Sequence, residues 1–248
     1  MPYNIIVLIK VIPDLEQIKP NPTTGEIVTE RTPLRLETLS ENAIEAAVQL
    51  KEKYGGKVFG LIFGKPESAP MLKKAFAMGV DDGIVLTGYK GNNPVYTAEV
   101  LCGKIKGMQY DLIISGNQSA DTYTGLLPGI ISGKLGINLL GNALTIALED
   151  RKIRVKSTLE KKIQNLSATL PAIVSVTQET NQPRLPPVMQ IMAAGRKQIV
   201  TEAAQPQTMP GTVQISNRAP RSERKRQLYE KPEEGIAAVA RAIKEEIR

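Results

Sequence analysis

At 248 residues, 42% of them apolar, the chain is long enough for one large α/β domain with appendages and a full core. It has no histidine and one cysteine, Cys102, which excludes imidazole acid–base catalysis, a cysteine zinc site, an intrachain disulfide and a CxxC redox pair. The formal charge of +7 reads first as a basic solvated surface, and it would also suit an acidic partner, nucleic acid or an anionic ligand. With three Phe, seven Tyr and no Trp, the core must be aliphatic.

The apolar β-branched run from Asn4 to Lys10 predicts a buried central strand of a parallel sheet. Pro13-Asp14 ends it, and a loop with Pro20, Pro22 and Gly25 leads into a short hairpin over Glu26 to Thr29. Ser40 is the expected N-cap of a helix buried through Ala43, Ala47, Val48 and Leu50 and stopped by Gly55-Gly56. Lys57 to Phe63 is a second buried strand, and a helix runs from Pro66 to Gly79. Asp82 to Thr87 is a third strand, about Val95 to Lys106 a helix, and Asp111 to Ser115 a fourth strand. A polar loop, Gly116 to Gly125, then opens a helix to about Lys134. This alternation predicts a doubly wound, mostly parallel, Rossmann-like sheet, with ligands beyond the carboxyl ends of its strands.

The pattern changes near Asn138. Ala143–Leu148, Lys152–Glu160 and Pro171–Val176 read as strands without helices between them, an antiparallel extension of the sheet. After Thr180 the chain is irregular, and residues 198–231 read as an extended arm. A helix from Pro232 to about Ile247 carries an apolar stripe, Ile236, Val239, Ala240 and Ile243, which packs on another chain or folds back on its own domain. The expected division is therefore an α/β domain over 1–197, including a docking segment at 181–192, and an arm with a terminal helix over 198–248. No signal peptide and no run of about 18 apolar residues is found, so a cytoplasmic protein is expected.

The fingerprints GxGxxG and GxxxxGK[ST] are absent. The strongest local signal is the strand–loop–helix from Asp111 to Gly129. A helix start offers unpaired N–H groups and a positive dipole end, and Thr122, Thr124 and Gly125 leave room for an anion. The segment reads as a phosphate site or as a well-capped βα loop. Asp121 would repel a phosphate directly, so it is expected to cap the loop or bind a ribose. Asp81-Asp82 fits a helix-to-strand turn, and Cys102 fits a helix core. Leu185, Val188, Met189, Ile191 and Met192 put apolar side chains on an irregular segment, as docking surfaces do. The basic stretch Arg218 to Arg226 (Arg218, Arg221, Arg224, Lys225, Arg226, with Glu223) lacks aromatic stacking partners, which argues against nucleic acid.

Several segments in this order resemble the β subunit of electron-transfer flavoproteins. They are Lys10-Val-Ile-Pro-Asp14, Ala43 to Glu52, Lys74 to Gly79, Asp111 to Asp121 with Gly116-Asn-Gln-Ser-Ala-Asp121, Leu170 to Val176, Pro183-Arg184 and Ile191 to Lys197. The resemblance implies a non-enzymatic electron carrier. It implies a heterodimer with an α subunit that holds FAD, and AMP or a second FAD in this chain. It implies that the nucleotide meets Lys10, Asn42, the turn with Gly64 and Ser68, and the loop residues Gln118, Asp121, Thr122, Tyr123, Thr124, Gly125 and Leu126. Arg184, Leu185, Val188, Met189 and Met192 are implied as the docking residues for acyl-CoA or other dehydrogenases, with a quinone oxidoreductase as acceptor and no membrane insertion. The Asn-Pro-Phe common in the family is replaced by the run from Thr38 to Asn42. The alternative is a free-standing ATP- or AMP-binding module of the universal-stress type, which needs neither arm nor terminal helix.

Overall fold

The structure, a computed structural model, describes residues 2–29, 32–89, 91, 93–204, 215–219 and 226–247. β1 (Tyr3–Ile9) is buried at every position except Asn4. β2 (Val11–Pro13) and β3 (Leu34–Leu36) form a small antiparallel ribbon. There follow α1 (Thr38–Tyr54), β4 (Gly56–Phe63), α2 (Ala69–Met78), β5 (Asp82–Thr87), α3 (Pro94–Ile105), β6 (Leu112–Gly116) and α4 (Leu127–Leu135). Then come β7 (Asn138–Glu149), β8 (Lys152–Leu159), β9 (Lys162–Thr169), β10 (Ala172–Val176), α5 (Val188–Arg196), β11 (Val200–Ala203) and α6 (Pro232–Glu246).

Among the described residues the main sheet has nine strands in the order β11-β5-β4-β1-β6-β10-β7-β8-β9. From β11 to β7 every pairing is parallel, and β7-β8-β9 is an antiparallel meander. This is the expected mostly parallel α/β class with an antiparallel extension. Even and odd positions of β1 face different cores. Ile5, Val7 and Ile9 pack with Ile44, Ala47 and Leu72 of α1 and α2, whereas Ile6 and Leu8 pack with Leu101, Ile105 and Ile131 of α3 and α4. Burying one such isoleucine contributes about 2–3 kcal/mol. Gly56 stands opposite Tyr3 at the start of the β1–β4 pairing. It has φ +118°, and a Cβ there would sit 1.9 Å from the Tyr3 carbonyl oxygen, so only glycine fits.

Five local expectations are corrected. β10 does not belong to the antiparallel extension. It is buried throughout and inserts parallel between β6 and β7, as a strand covered on both faces must. β9 was not foreseen, because its sequence KIQNLSAT is mostly polar and only Gln164, Leu166 and Ala168 turn inward. α1 begins three residues early. Glu37 is its N-cap and accepts the Ser40 N–H at 3.0 Å, while the Ser40 hydroxyl accepts the Lys10 N–H at 2.9 Å. Residues 188–196 are helical rather than irregular, because Pro187 stands at the N-cap and interrupts nothing. Finally, β11 pairs with the edge of β5 inside the stretch expected to be arm.

Residues Met1–Lys19 and Val28–Ser216 make one compact unit, and Pro20–Ile27 with Asn217–Arg248 make a second. In the second, Asn21 N–H donates to Glu26 O at 2.8 Å, Pro20 pairs with Ile27, and Glu26 pairs with Arg218. The hairpin expected at Glu26–Thr29 is thus shifted to Pro20–Ile27. The stripe on α6 is solvent-facing at Ile236, Val239 and Ile243. Arg221, Glu223, Arg224 and Lys225 of the basic stretch lie outside the described residues. No helix among the described residues is long and apolar enough to cross a membrane.

Candidate nucleotide site at the switch point

The chain leaves β1 toward β4 and β5 on one side, then returns to place β6 on the other. That reversal opens a crevice at the carboxyl ends of β1 and β6, the place where doubly wound sheets bind ligands. Lys10 follows β1 directly. Its Nζ donates to Asp121 Oδ1 at 2.7 Å and to Ser119 Oγ at 2.9 Å, closing the loop after β6 onto the end of β1. Ser119 Oγ also donates to Asp121 Oδ1 at 2.7 Å and lies 3.1 Å from Thr122 Oγ1. Asp121 therefore turns inward to the lysine.

Behind this pair stands Glu37, a buried carboxylate that faces the backbone N–H groups of Ser40, Ala120 and Leu39. Burial pushes its carboxyl above the usual range, against the pull of those N–H groups and of Lys10. Tyr89, edge-on to Phe63 at 5.4 Å, lines the β5 side, and burial followed by the Asp121 charge pushes its phenol above the usual tyrosine range.

The outer half of the loop is open. Gln118 and Tyr123, Thr124, Gly125 and Leu126 are exposed. Tyr123 and Gly125 have left-handed φ values of 50° and 61°, which turn the backbone sharply at the mouth of α4. The cap position of α4, Leu126, makes no side-chain capping bond, and Pro128 sits in the first turn. The N–H groups of Leu127 and Gly129 are thus left to be met by solvent or a ligand. Beneath the loop, Ser115 Oγ and Asn117 Oδ1 are buried without a hydrogen-bond partner among the described residues. The arrangement can hold an anionic group on N–H donors at the rim and a polar group over the buried atoms.

The residues expected here divide. Lys10, Asp121 and Thr122 come together, and Gly125 lies over the Asn117 carbonyl, which a Cβ would meet at 3.4 Å. Gly64 and Ser68 are buried against each other at the end of β4, where a Cβ on Gly64 would sit 2.7 Å from Ser68 Oγ. Ile9 is opposite Ile62 in the sheet register, so the ends of β1 and β4 lie side by side and this turn flanks the same crevice. Asn42 is not drawn to the loop. Its Nδ2 donates to the Asn181 carbonyl at 2.8 Å and ties α1 to the segment after β10. Sequence reasoning missed Glu37 and Tyr89, and placed Ser119 in the loop without its bond to Lys10. Glu37 gave no signal of its own, because glutamate is not a favoured N-cap and Ser40, three residues on, is.

At the docking segment, Leu185 is 94% exposed, Val188 72% and Met189 77%, with Met192 also exposed. Arg184 differs from its neighbours. Its guanidinium, half-buried, is engaged by Glu45 and Glu52 of α1. Among the described residues no cluster of acidic, cysteine or histidine side chains could hold a metal. Cys102 is buried in α3, and burial raises its thiol above the usual range.

Fold and crevice together define a doubly wound α/β protein with a candidate ligand site at its switch point and, packed on α2, a helix that exposes apolar side chains. Residues 24–207 match the family model described as electron transfer flavoprotein domain. The chain is 31% identical over 199 residues to the electron transfer flavoprotein subunit beta of Thermoanaerobacterium thermosaccharolyticum, covering 79% of this chain and 76% of that one. It is 34% identical over 208 residues to the subunit beta of Mycobacterium leprae, covering 79% and 77%. It is also 28% identical to protein FixA of Azorhizobium caulinodans, covering 81% and 75%. The chain belongs to the electron transfer flavoprotein family, in its beta-subunit and FixA branch.

Proposed function

We propose that this chain pairs with an FAD-carrying α subunit, holds AMP or a second FAD in the β1/β6 crevice, and carries electrons without catalysing a reaction of its own. Electrons enter from acyl-CoA or other dehydrogenases docked on the exposed face of α5 and leave to a quinone oxidoreductase or a similar acceptor. The observation that carries this reading is the closure of the Ser119–Asp121 loop on Lys10 at the switch point, beside the open start of α4. The groups present suit an adenine nucleotide. Gly125 and the first turn of α4 receive the phosphate, and the inward Asp121 keeps its charge away from it. The flavin supplies the redox chemistry when bound. This chain's residues bind, orient and shield. A relative from Acetobacterium woodii, 30% identical over 194 residues, is named as a subunit of a caffeyl-CoA reductase–Etf complex, which supports work within an assembly.

The test is Gly125→Val in the co-purified complex. A β-branched residue at φ 61° is strained, and its side chain would crowd the expected phosphate position. Titration of nucleotide-stripped complex with AMP and, separately, with FAD should show at least about tenfold weaker binding of whichever nucleotide the unmodified complex takes, a change of ~1.4 kcal/mol. Equal affinity in wild type and variant would remove the loop from the site.

A further inference from the structure

The segment leading into α5 is held to α1 at Asn181 and, next to the helix, by Arg184. Arg184 donates from its backbone N–H and Nε to Glu45 Oε2 at 3.2 and 2.8 Å, and from Nη2 to Glu45 Oε1 at 3.1 Å. Its Nη1 and Nη2 donate to Glu52 Oε1 and Oε2 at 2.6 and 2.9 Å. Glu45 is buried and Glu52 is solvent-facing. Asn42, Glu45 and Glu52 fall on one stripe of α1 at helical spacing, and Asn42 grips Asn181 just upstream. Two carboxylates on one stripe repel unless a cation lies between them. The flat guanidinium fork meets both at once, which a lysine cannot do.

The far end of α5 is secured separately. Lys73 Nζ donates to the Gly195 carbonyl at 2.7 Å, Lys197 Nζ donates to the Asp81 carbonyl at 2.6 Å, and Ala194 is buried. Between these anchors lie the exposed Leu185, Val188, Met189 and Met192. We infer that Arg184 is a positioning residue: its clamp on Glu45 and Glu52 fixes the entry into α5, so that the apolar face is presented in one pose. It acts from behind the face and does not meet the partner. The consequence for electron transfer rests on the docking reading above, whereas the clamp itself does not.

The test uses the complex with its α-type subunit and the variants R184Q, R184K, E52Q and V188E. Amide exchange in peptides covering 189–192 and 193–196 is followed by mass spectrometry, with KM and kcat for reduction by an acyl-CoA dehydrogenase and its substrate. R184Q should speed exchange at 189–192 about tenfold or more, leave 193–196 and bound nucleotide unchanged, and raise KM while kcat holds. R184K should lie between, because it restores one contact only. E52Q, which weakens only the solvent-side branch, gives a smaller rise and keeps the test readable if R184Q does not fold. Wild-type exchange at 189–192 in both R184Q and E52Q overturns the clamp. Faster exchange with KM unmoved in both R184Q and V188E upholds the clamp and overturns the docking reading. V188E raising KM with no change in exchange, beside R184Q changing both, supports the two together.

Discussion

Lys10→Met removes the cation that closes the switch-point loop. Lys10 Nζ makes two hydrogen bonds, to Asp121 at 2.7 Å and Ser119 at 2.9 Å, and its side chain is 33% exposed against 16% for Asp121. A hydrogen bond to a charged group is worth about 1.5–3 kcal/mol, and solvent at the lysine end reduces this. Asp121 is left poorly hydrated and faces no cation, with buried Glu37 behind it. We therefore expect K10M to cost about 2 kcal/mol. D121N should cost less, about 1 kcal/mol, because the ammonium it leaves behind still reaches water. The double variant should cost less than the sum, with a coupling of about 1 kcal/mol. With a urea slope of roughly 2–3 kcal/mol/M for a chain of this size, K10M lowers the unfolding midpoint by about 0.7–1 M. A coupling energy of zero within about 0.3 kcal/mol would refute the claim that this pair holds the loop.

Glu37→Gln probes the carboxyl behind that pair. A raised carboxyl means that the folded chain holds the proton more tightly than the unfolded one, so the wild type loses stability as pH rises from the ordinary 4.5 through the folded value. The advantage of wild type over E37Q should thus be largest near pH 4.5 and shrink above it, and parallel urea midpoints across that window would contradict the burial argument. Gly56→Ala places a Cβ 1.9 Å from the Tyr3 oxygen at φ +118° and should cost at least about 3 kcal/mol, read as a lost or strongly lowered thermal transition. Cys102 should resist alkylation at neutral pH until urea unfolds the chain, since burial both shields the thiol and raises its ionisation. Rapid labelling of the folded protein would place it at the surface.

The parallel half of the fold was legible because its strands are covered on both faces. Tyr3–Ile9, Gly56–Phe63 and Asp82–Thr87 are largely apolar runs, and glycines mark the ends of the second and third. Edge elements were not. Lys162–Thr169 and Val200–Ala203 meet solvent on one side, so their patterns carry few apolar residues and the partner strand decides their conformation. The helix at Val188–Arg196 hid behind two prolines that mark its start. At the site, the Asp111 to Gly129 segment announced its own strand, loop and helix. The contacts of Lys10 and Asn42 reach across the chain, and local pattern cannot pair residues more than a hundred positions apart. Asn42 was therefore expected at the nucleotide and is found holding Asn181. Arg184 was expected to face a partner and is found between Glu45 and Glu52.

The central claim is that this chain itself holds an adenine nucleotide at the β1/β6 crevice. The most direct test is to co-express it with its α-type subunit, purify the complex, denature it, and quantify released FAD and AMP by chromatography. The account predicts one adenine nucleotide beyond the flavin of the α-type subunit, as one FAD with one AMP or as two FAD. A stable complex that releases a single FAD and no other adenine nucleotide contradicts it.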